Sequence, residues 1–159
     1  MLRIKLIVIG NLKEAYWREA AAEYEKRLSA YAKVEICELK EARLPDDPAP
    51  GEIAAALEKE ADAVLAAVPP RAAVFALCVE GEQLSSPQLS DMLADVMNKT
   101  GEAAFIIGSS HGLSPRVKAA AGRRLSLSKL TFPHQMTRVL ILETLYRSLS
   151  ILGGGKYHK

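Results

Sequence analysis

Short apolar runs alternate with helix-patterned stretches along this chain, and that alternation limits its fold more than any other feature. Leu2–Ile9 reads Leu-Arg-Ile-Lys-Leu-Ile-Val-Ile. It is a strand whose second half is apolar on both faces, as in a sheet covered on two sides. Residues 14–31 follow with Tyr16, Ala20, Tyr24, Leu28 and Tyr31 at helical spacing. Residues 34–39 alternate as a second strand. Residues 42–50 hold three prolines and two aspartates and read as a loop. The Ala-rich stretch 52–67 predicts a helix stopped by Pro69-Pro70, and 72–79 a third strand. Ser86-Pro87 reads as a helix start with Ser86 as N-cap and Pro87 first in the helix, running to about Lys99. Residues 103–107 form a fourth strand. Ser114-Pro115 caps a short helix to Ala121, and 124–127 reads as a fifth strand. Residues 133–150 read as a helix, apolar nearly all round between Val139 and Leu142 and so largely buried.

Strands alternating with helices predict an α/β fold with a doubly wound, mostly parallel sheet. Ligands of such sheets bind beyond the carboxyl ends of the strands. The loops after the third, fourth and fifth strands are therefore the places to look: Glu80-Gly81, residues 108–112 and residues 128–132. At 159 residues the chain fits one domain with a sizeable core. The first apolar run is too short for a secretory signal, and no run approaches a membrane span. Cys37 and Cys78 sit far apart in apolar runs, as buried thiols do in a reducing cytoplasm.

Gly108-Ser-Ser-His-Gly112 fits Gly-x-Ser-x-Gly after a strand, the pattern of a nucleophile elbow with Ser110 as nucleophile. The context is poor for a serine hydrolase. The next helix start is Ser114-Pro115, and the only later acid is Glu143, inside a helix. A glycine loop admitting a nucleoside cofactor and a plain tight turn are the other readings. Neither Gly-x-Gly-x-x-Gly nor a phosphate-binding loop is present, and His111, His134 and His158 lack metal-ligand spacing, so no metal is expected. Glu143 and Arg147 stand at i, i+4 and can pair. The tail Gly153-Gly-Gly-Lys-Tyr-His-Lys159 offers two cations, an aromatic ring and an imidazole, groups able to stack on bases and hold phosphates. Charge is split. Residues 1–112 carry 12 Lys/Arg against 18 Asp/Glu, a balance of −6; residues 113–159 carry nine against one acid, Glu143, a balance of +8. A basic segment of that kind suits a polyanion partner.

Several of these stretches together resemble one family. They are Phe105-Ile-Ile-Gly108, His111-Gly-Leu113, Leu125-Ser-Leu-Ser-Lys-Leu-Thr-Phe-Pro-His-Gln135, Arg138, Leu145-Tyr-Arg147 and the terminal Tyr157-His-Lys159. Val8-Ile-Gly10, Tyr16-Trp17 and Glu23-Tyr-Glu-Lys-Arg-Leu28 belong to the same likeness, which spans essentially the whole chain. The family is ribosomal large-subunit methyltransferase H, the minimal member of the SPOUT class of RNA methyltransferases. Two positions depart from its pattern: Ser109 replaces a second glycine, and Lys156 a proline.

The resemblance implies one SPOUT domain over residues 1–159 whose part from about 103 onward is threaded into a trefoil knot. It implies a cytoplasmic homodimer that uses S-adenosyl-L-methionine to methylate N3 of a pseudouridine in ribosomal RNA on the ribosome. Carried over by position, the cofactor contacts fall on Leu77, Gly108, Leu127, Ser128, Lys129, Leu130, Thr131 and Phe132. The N3 proton must leave for the methyl to arrive. His158 is the candidate base or shuttle, Arg147 the charge stabiliser and Tyr157 a stacking group, with one subunit's tail serving its partner's site. The helix 133–150 is the expected dimer surface. A ribosome-associated module of the same fold without activity is the alternative from another class.

Overall fold

The computed structural model describes residues 1–158; Lys159, the last residue of the expected reactive tail, lies outside them. The chain runs β1 (Leu2–Ile9), α1 (Ala15–Leu28), β2 (Ala32–Leu39), α2 (Pro50–Ala67), β3 (Ala73–Gln83), α3 (Ser86–Lys99), β4 (Glu102–Ile107), α4 (Pro115–Ala120), β5 (Arg123–Ser126) and α5 (His134–Leu152). The strands form one five-stranded sheet in the order β2-β1-β4-β3-β5, and every pairing is parallel.

Strand periodicity divides the core into two layers. Leu2, Ile4, Leu6 and Val8 of β1, with Ala103, Phe105 and Ile107 of β4, face α1, α3 and α5. Ile7 and Ile9, with Ala104 and Ile106, face the α2 and α4 side. Successive side chains of a strand point to opposite faces, so a central strand with two covered faces is apolar without alternation. Helix α5 buries Ile141, Leu142, Leu145 and Leu149 on one stripe. Each such side chain stabilises the fold by roughly 1.5–3 kcal/mol.

Helix α3 is capped one residue earlier than the Ser-Pro pair suggests. Ser85 Oγ accepts the Gln88 N–H at 3.2 Å and Gln88 Oε1 accepts the Ser85 N–H at 2.8 Å. The reciprocal pair needs a glutamine three residues on, which Ser85 has and Ser86 lacks. Helix α1 stops at Leu28 rather than Tyr31, because Ala32 is already paired with Leu2. Two expectations of burial are corrected. Cys37 and Cys78 are free and only half-buried. Val139 and Leu140 are half-buried as well, so α5 leaves one apolar face uncovered. No helix among the described residues is long and apolar enough to cross a membrane, and no group of three or more metal-ligating side chains occurs among them.

Candidate functional site

A hollow of about 390 Å³ opens over the carboxyl ends of β3, β4 and β5. Its volume lies in the range of small-molecule sites. One wall comes from a break in pairing. Strand β3 pairs with β5 up to Leu77↔Leu125 and resumes at Glu82↔Leu125, so residues 78–81 loop out and line the space. Gly81 allows this close crossing, since a Cβ there would stand 2.6 Å from the Leu125 carbonyl carbon. A second wall is the loop after β4. A Cβ on Gly108 would collide with the Gly112 carbonyl, and Gly112 N–H donates to Ser109 O at 2.9 Å. Glycine at 108 is thus required by the loop's own closure as well as by its place in the hollow. The turn does not lead into a helix. Ser110 is exposed and α4 begins only at Pro115, capped by Ser114, so the Gly-x-Ser-x-Gly string is not a nucleophile elbow.

The third wall is the segment after β5. The strand ends at Ser126, and Leu127 leaves the sheet to face the hollow. Ser126 Oγ donates to Ser128 O at 2.9 Å, and Ser128 Oγ accepts the Leu130 N–H at 3.0 Å. Those bonds shape the loop while leaving the backbone N–H groups of Lys129, Thr131 and Phe132 without acceptors among the described residues. Free backbone donors at the edge of a partly apolar space suit a ligand that accepts in-plane hydrogen bonds, such as a purine. Leu130 is 71 % exposed, an unusual exposure for a leucine beside a binding site. Glu80 and Lys118 form an ion pair at the rim, and that contact lowers the Glu80 carboxyl below its ordinary value.

Beneath the glycine loop lies Glu60, a carboxylate only 6 % exposed. It accepts the Ala42 N–H at 2.9 Å and a long 3.5 Å contact from Ser109 Oγ. Burial raises its carboxyl, the Ala42 N–H opposing that shift. One carboxylate thereby ties the loop after β2 to the loop after β4.

The tail forms a second cluster. Tyr157 stacks at 4.7 Å against Tyr146 of α5, and the Arg147 guanidinium lies 4.6 Å above the Tyr157 ring. Tyr157 donates to Glu143 Oε1 at 3.2 Å, and Arg147 donates to the same oxygen at 2.6 Å. Arg147 Nη1 approaches His158 Nδ1 at 3.4 Å. The nearby Tyr24 hydroxyl, then burial and the Glu143 charge, push Tyr157 up to about 12. The Tyr157 ring is therefore neutral at physiological pH and cannot serve as the proton acceptor. Arg147 is raised too, first by its bond to Glu143, and stays charged.

A sequence model described as "Predicted SPOUT methyltransferase" matches residues 2–158. The chain belongs to the SPOUT methyltransferase family. Two solved structures share the fold. A probable methylase family protein from Haemophilus influenzae Rd KW20 is 13 % identical, with a TM-score of 0.55 over 98 % of this chain and 70 % of that one. The tRNA (m1G37) methyltransferase from Aquifex aeolicus is 16 % identical, with a TM-score of 0.53 over 99 % of this chain and 73 % of that one.

In this SPOUT methyltransferase Leu77, Gly108, Leu127, Ser128, Leu130, Thr131 and Phe132 all line the one hollow. Lys129, within the same loop, is exposed and not part of the lining. Arg147, Tyr157 and His158 are brought together with each other but not with that hollow. His134 lines the hollow at the start of α5, and Arg147 is thirteen residues further along the same helix. At 1.5 Å per residue that is about 20 Å. Sequence reasoning missed Glu60, Glu80 and Lys118 as parts of the site. It noted the Glu143–Arg147 spacing but not that Glu143 also holds the tail.

The basic half is far less free than its charge suggests. Arg116 pairs with Glu58 and Asp62, Lys118 with Glu80, Arg123 with Glu82, Arg138 with Glu38 and Arg147 with Glu143. Arg124, Lys129 and Lys156 make no ion pair among the described residues.

Proposed function

We propose that the protein is an S-adenosyl-L-methionine-dependent RNA methyltransferase, acting as a homodimer on N3 of a pseudouridine in large-subunit ribosomal RNA. The observation that carries the cofactor reading is the hollow over β3, β4 and β5, where free backbone amides of the 127–132 loop meet Leu77 and Gly108. These groups fit the cofactor: backbone donors for the adenine edge, the Leu77 and Leu127 side chains for its faces, and the Glu80–Lys118 pair near the mouth for polar ends. When bound, the cofactor supplies an electrophilic methyl on a positively charged sulfur.

The chain's own residues do the rest. Transfer needs an acceptor in line with that methyl, water kept out and the N3 proton removed. Within one subunit Arg147, Tyr157 and His158 stand about 20 Å along α5 from the hollow's edge. They can meet a bound cofactor only if they belong to another copy of the chain. The half-exposed Val139 and Leu140 give α5 an apolar face for such a copy. In that arrangement Tyr157 packs against the target base, Arg147 stabilises its developing anion and His158 takes the proton. A single SPOUT domain, knotted from about residue 103, is part of the same reading. What supports the knot is the path of the chain after β5, from the sheet edge to α5 beside Gly10 and Lys13 on the far strands.

The test is calorimetry with S-adenosyl-L-methionine, followed by mass mapping of ribosomal RNA from cells with and without the protein. Binding and one methyl lost at a pseudouridine are expected. A protein that binds no S-adenosyl-L-methionine, or a methylation map that does not change, sinks the reading. Removing residues 157–159 should abolish methylation and leave cofactor affinity within about threefold, a difference under 1 kcal/mol.

A further inference from the structure

A second hollow, of about 520 Å³, opens beside the first over the carboxyl ends of β1 and β2. His134 lines both, so the first turn of α5 is the partition between them. The floor is Gly10, with Glu41 Oε2 and His134 Nε2 within about 4 Å of where its Cβ would stand. The position of the partition is fixed. Gln135 Oε1 accepts the Lys13 N–H at 3.3 Å, and Thr137 N–H donates to Pro133 O at 3.0 Å.

The lining is polar and mixed in sign. Asn11 and the Gln135 amide can each donate and accept. Lys13 and Lys40 are cations on the rim, and Glu41 offers a carboxylate. Glu38 is already engaged by Arg138 at 2.8 Å. A bare phosphate would meet the carboxylates, and an apolar ligand would strand the amides. A nucleotide satisfies the whole set, with its base edge reading Asn11, Gln135 and Glu41 and its phosphate reaching Lys13 or Lys40.

We infer that this hollow over β1 and β2 holds an RNA nucleotide adjoining the one that is methylated. The inference rests on the RNA methyl-transfer reading above, and it gives the enzyme a grip on its substrate beyond the reacting base. His134, shared by the two hollows, sets the spacing between the neighbouring nucleotide and the cofactor.

The experiment is an NMR titration of the full chain with uridine 5′-monophosphate, following the Asn11 and Gln135 side-chain amides and the His134 ring. Saturable shifts with a Kd on the order of 1 mM are expected, unchanged when S-adenosyl-L-methionine saturates the first hollow. In the Asn11→Ala/Lys40→Ala double variant the shifts should weaken about tenfold, the size of one lost hydrogen bond or phosphate contact. Both substituted residues are exposed, so the fold is kept. S-adenosyl-L-methionine shifts at Gly108 and Thr131 should be the same in the variant. No nucleotide shifts at about 20 mM, or shifts displaced by S-adenosyl-L-methionine, overturn the inference. Shifts of these residues on protein dilution alone, with none on adding nucleotide, also overturn it, because a second copy of the chain then covers the hollow. Failure of S-adenosyl-L-methionine to shift Gly108 and Thr131 in the unmodified protein overturns the cofactor reading instead, and is scored apart from the nucleotide arm.

Discussion

Replacing Tyr157 separates the docking of the tail from its chemistry. The ring packs on Tyr146 at 4.7 Å, lies under Arg147 at 4.6 Å and carries a hydroxyl bonded to Glu143 at 3.2 Å. Tyr157→Phe removes only the hydroxyl bond, about 1 kcal/mol. Tyr157→Ala also removes an aromatic pair of about 0.5–1.5 kcal/mol and a partly exposed cation–π contact of about 0.5–1 kcal/mol. The alanine variant therefore loses roughly 2–3.5 kcal/mol of docking, about 30- to 300-fold in the ratio of docked to free tail. Single-turnover methylation at saturating S-adenosyl-L-methionine should fall no more than about fivefold in the phenylalanine variant and at least about 30-fold in the alanine variant. The His158 amide, followed by NMR, should move toward a random-coil position only in the latter. A phenylalanine variant as inactive as the alanine one would refute this, because the hydroxyl and not the ring would then be the working group. A fully active alanine variant would refute it from the other side.

Gly108→Ala places a Cβ against the Gly112 carbonyl and forces the loop after β4 to shift. A loss of about 1–3 kcal/mol in stability is expected from thermal melts, with S-adenosyl-L-methionine affinity weakened at least about tenfold; unchanged affinity by calorimetry would show that this loop does not touch the cofactor. Glu60 makes a pH prediction. Burial raises its carboxyl above the ordinary 4.5, so the folded chain binds more protons than the unfolded one between the two values. Stability from this group is full below the unfolded value and is lost as pH rises through the folded one. Glu60→Gln should therefore gain on the unmodified protein as pH rises from about 4.5, measured by urea unfolding; parallel pH curves for the two proteins would count against it.

The sheet was legible because its strands carry strong local patterns. The all-apolar end of β1 and the β4 run Ala-Ala-Phe-Ile-Ile announce central strands, and the positions of the site loops follow from where those strands stop. Helix ends were less legible. Ser85 and Ser86 are chemically alike, and only the Gln88 side chain decides between them. The length of β3 was underestimated because Glu80, Gly81 and Glu82 read as a loop; its second half pairs only through a bulge. The tail illustrates a different gap. Composition supplies Tyr157 and His158 as reactive groups, and the i, i+4 spacing supplies the Glu143–Arg147 pair. Nothing local says that Glu143 accepts from both. Burial of Glu60 is equally invisible, since its acceptor role depends on Ala42 and Ser109, distant in sequence.

The strand order has a consequence for how the molecule is made. Strand β1 is central, yet its partner β4 is paired through contacts such as Ile4↔Ala103, about a hundred residues away. The layer over Leu6, Val8 and Phe105 is closed only by α5. Loop closures of that length slow folding, and an amino-terminal portion alone leaves an apolar sheet face in water. That portion is also acidic, while the stretch that completes it is basic and forms ion pairs with Glu38, Glu58, Asp62, Glu80 and Glu82. Attraction between the early and late parts of the chain draws the last strand and helix onto a waiting half-sheet. The charge split that reads as a docking surface for RNA is spent largely on the chain's own assembly.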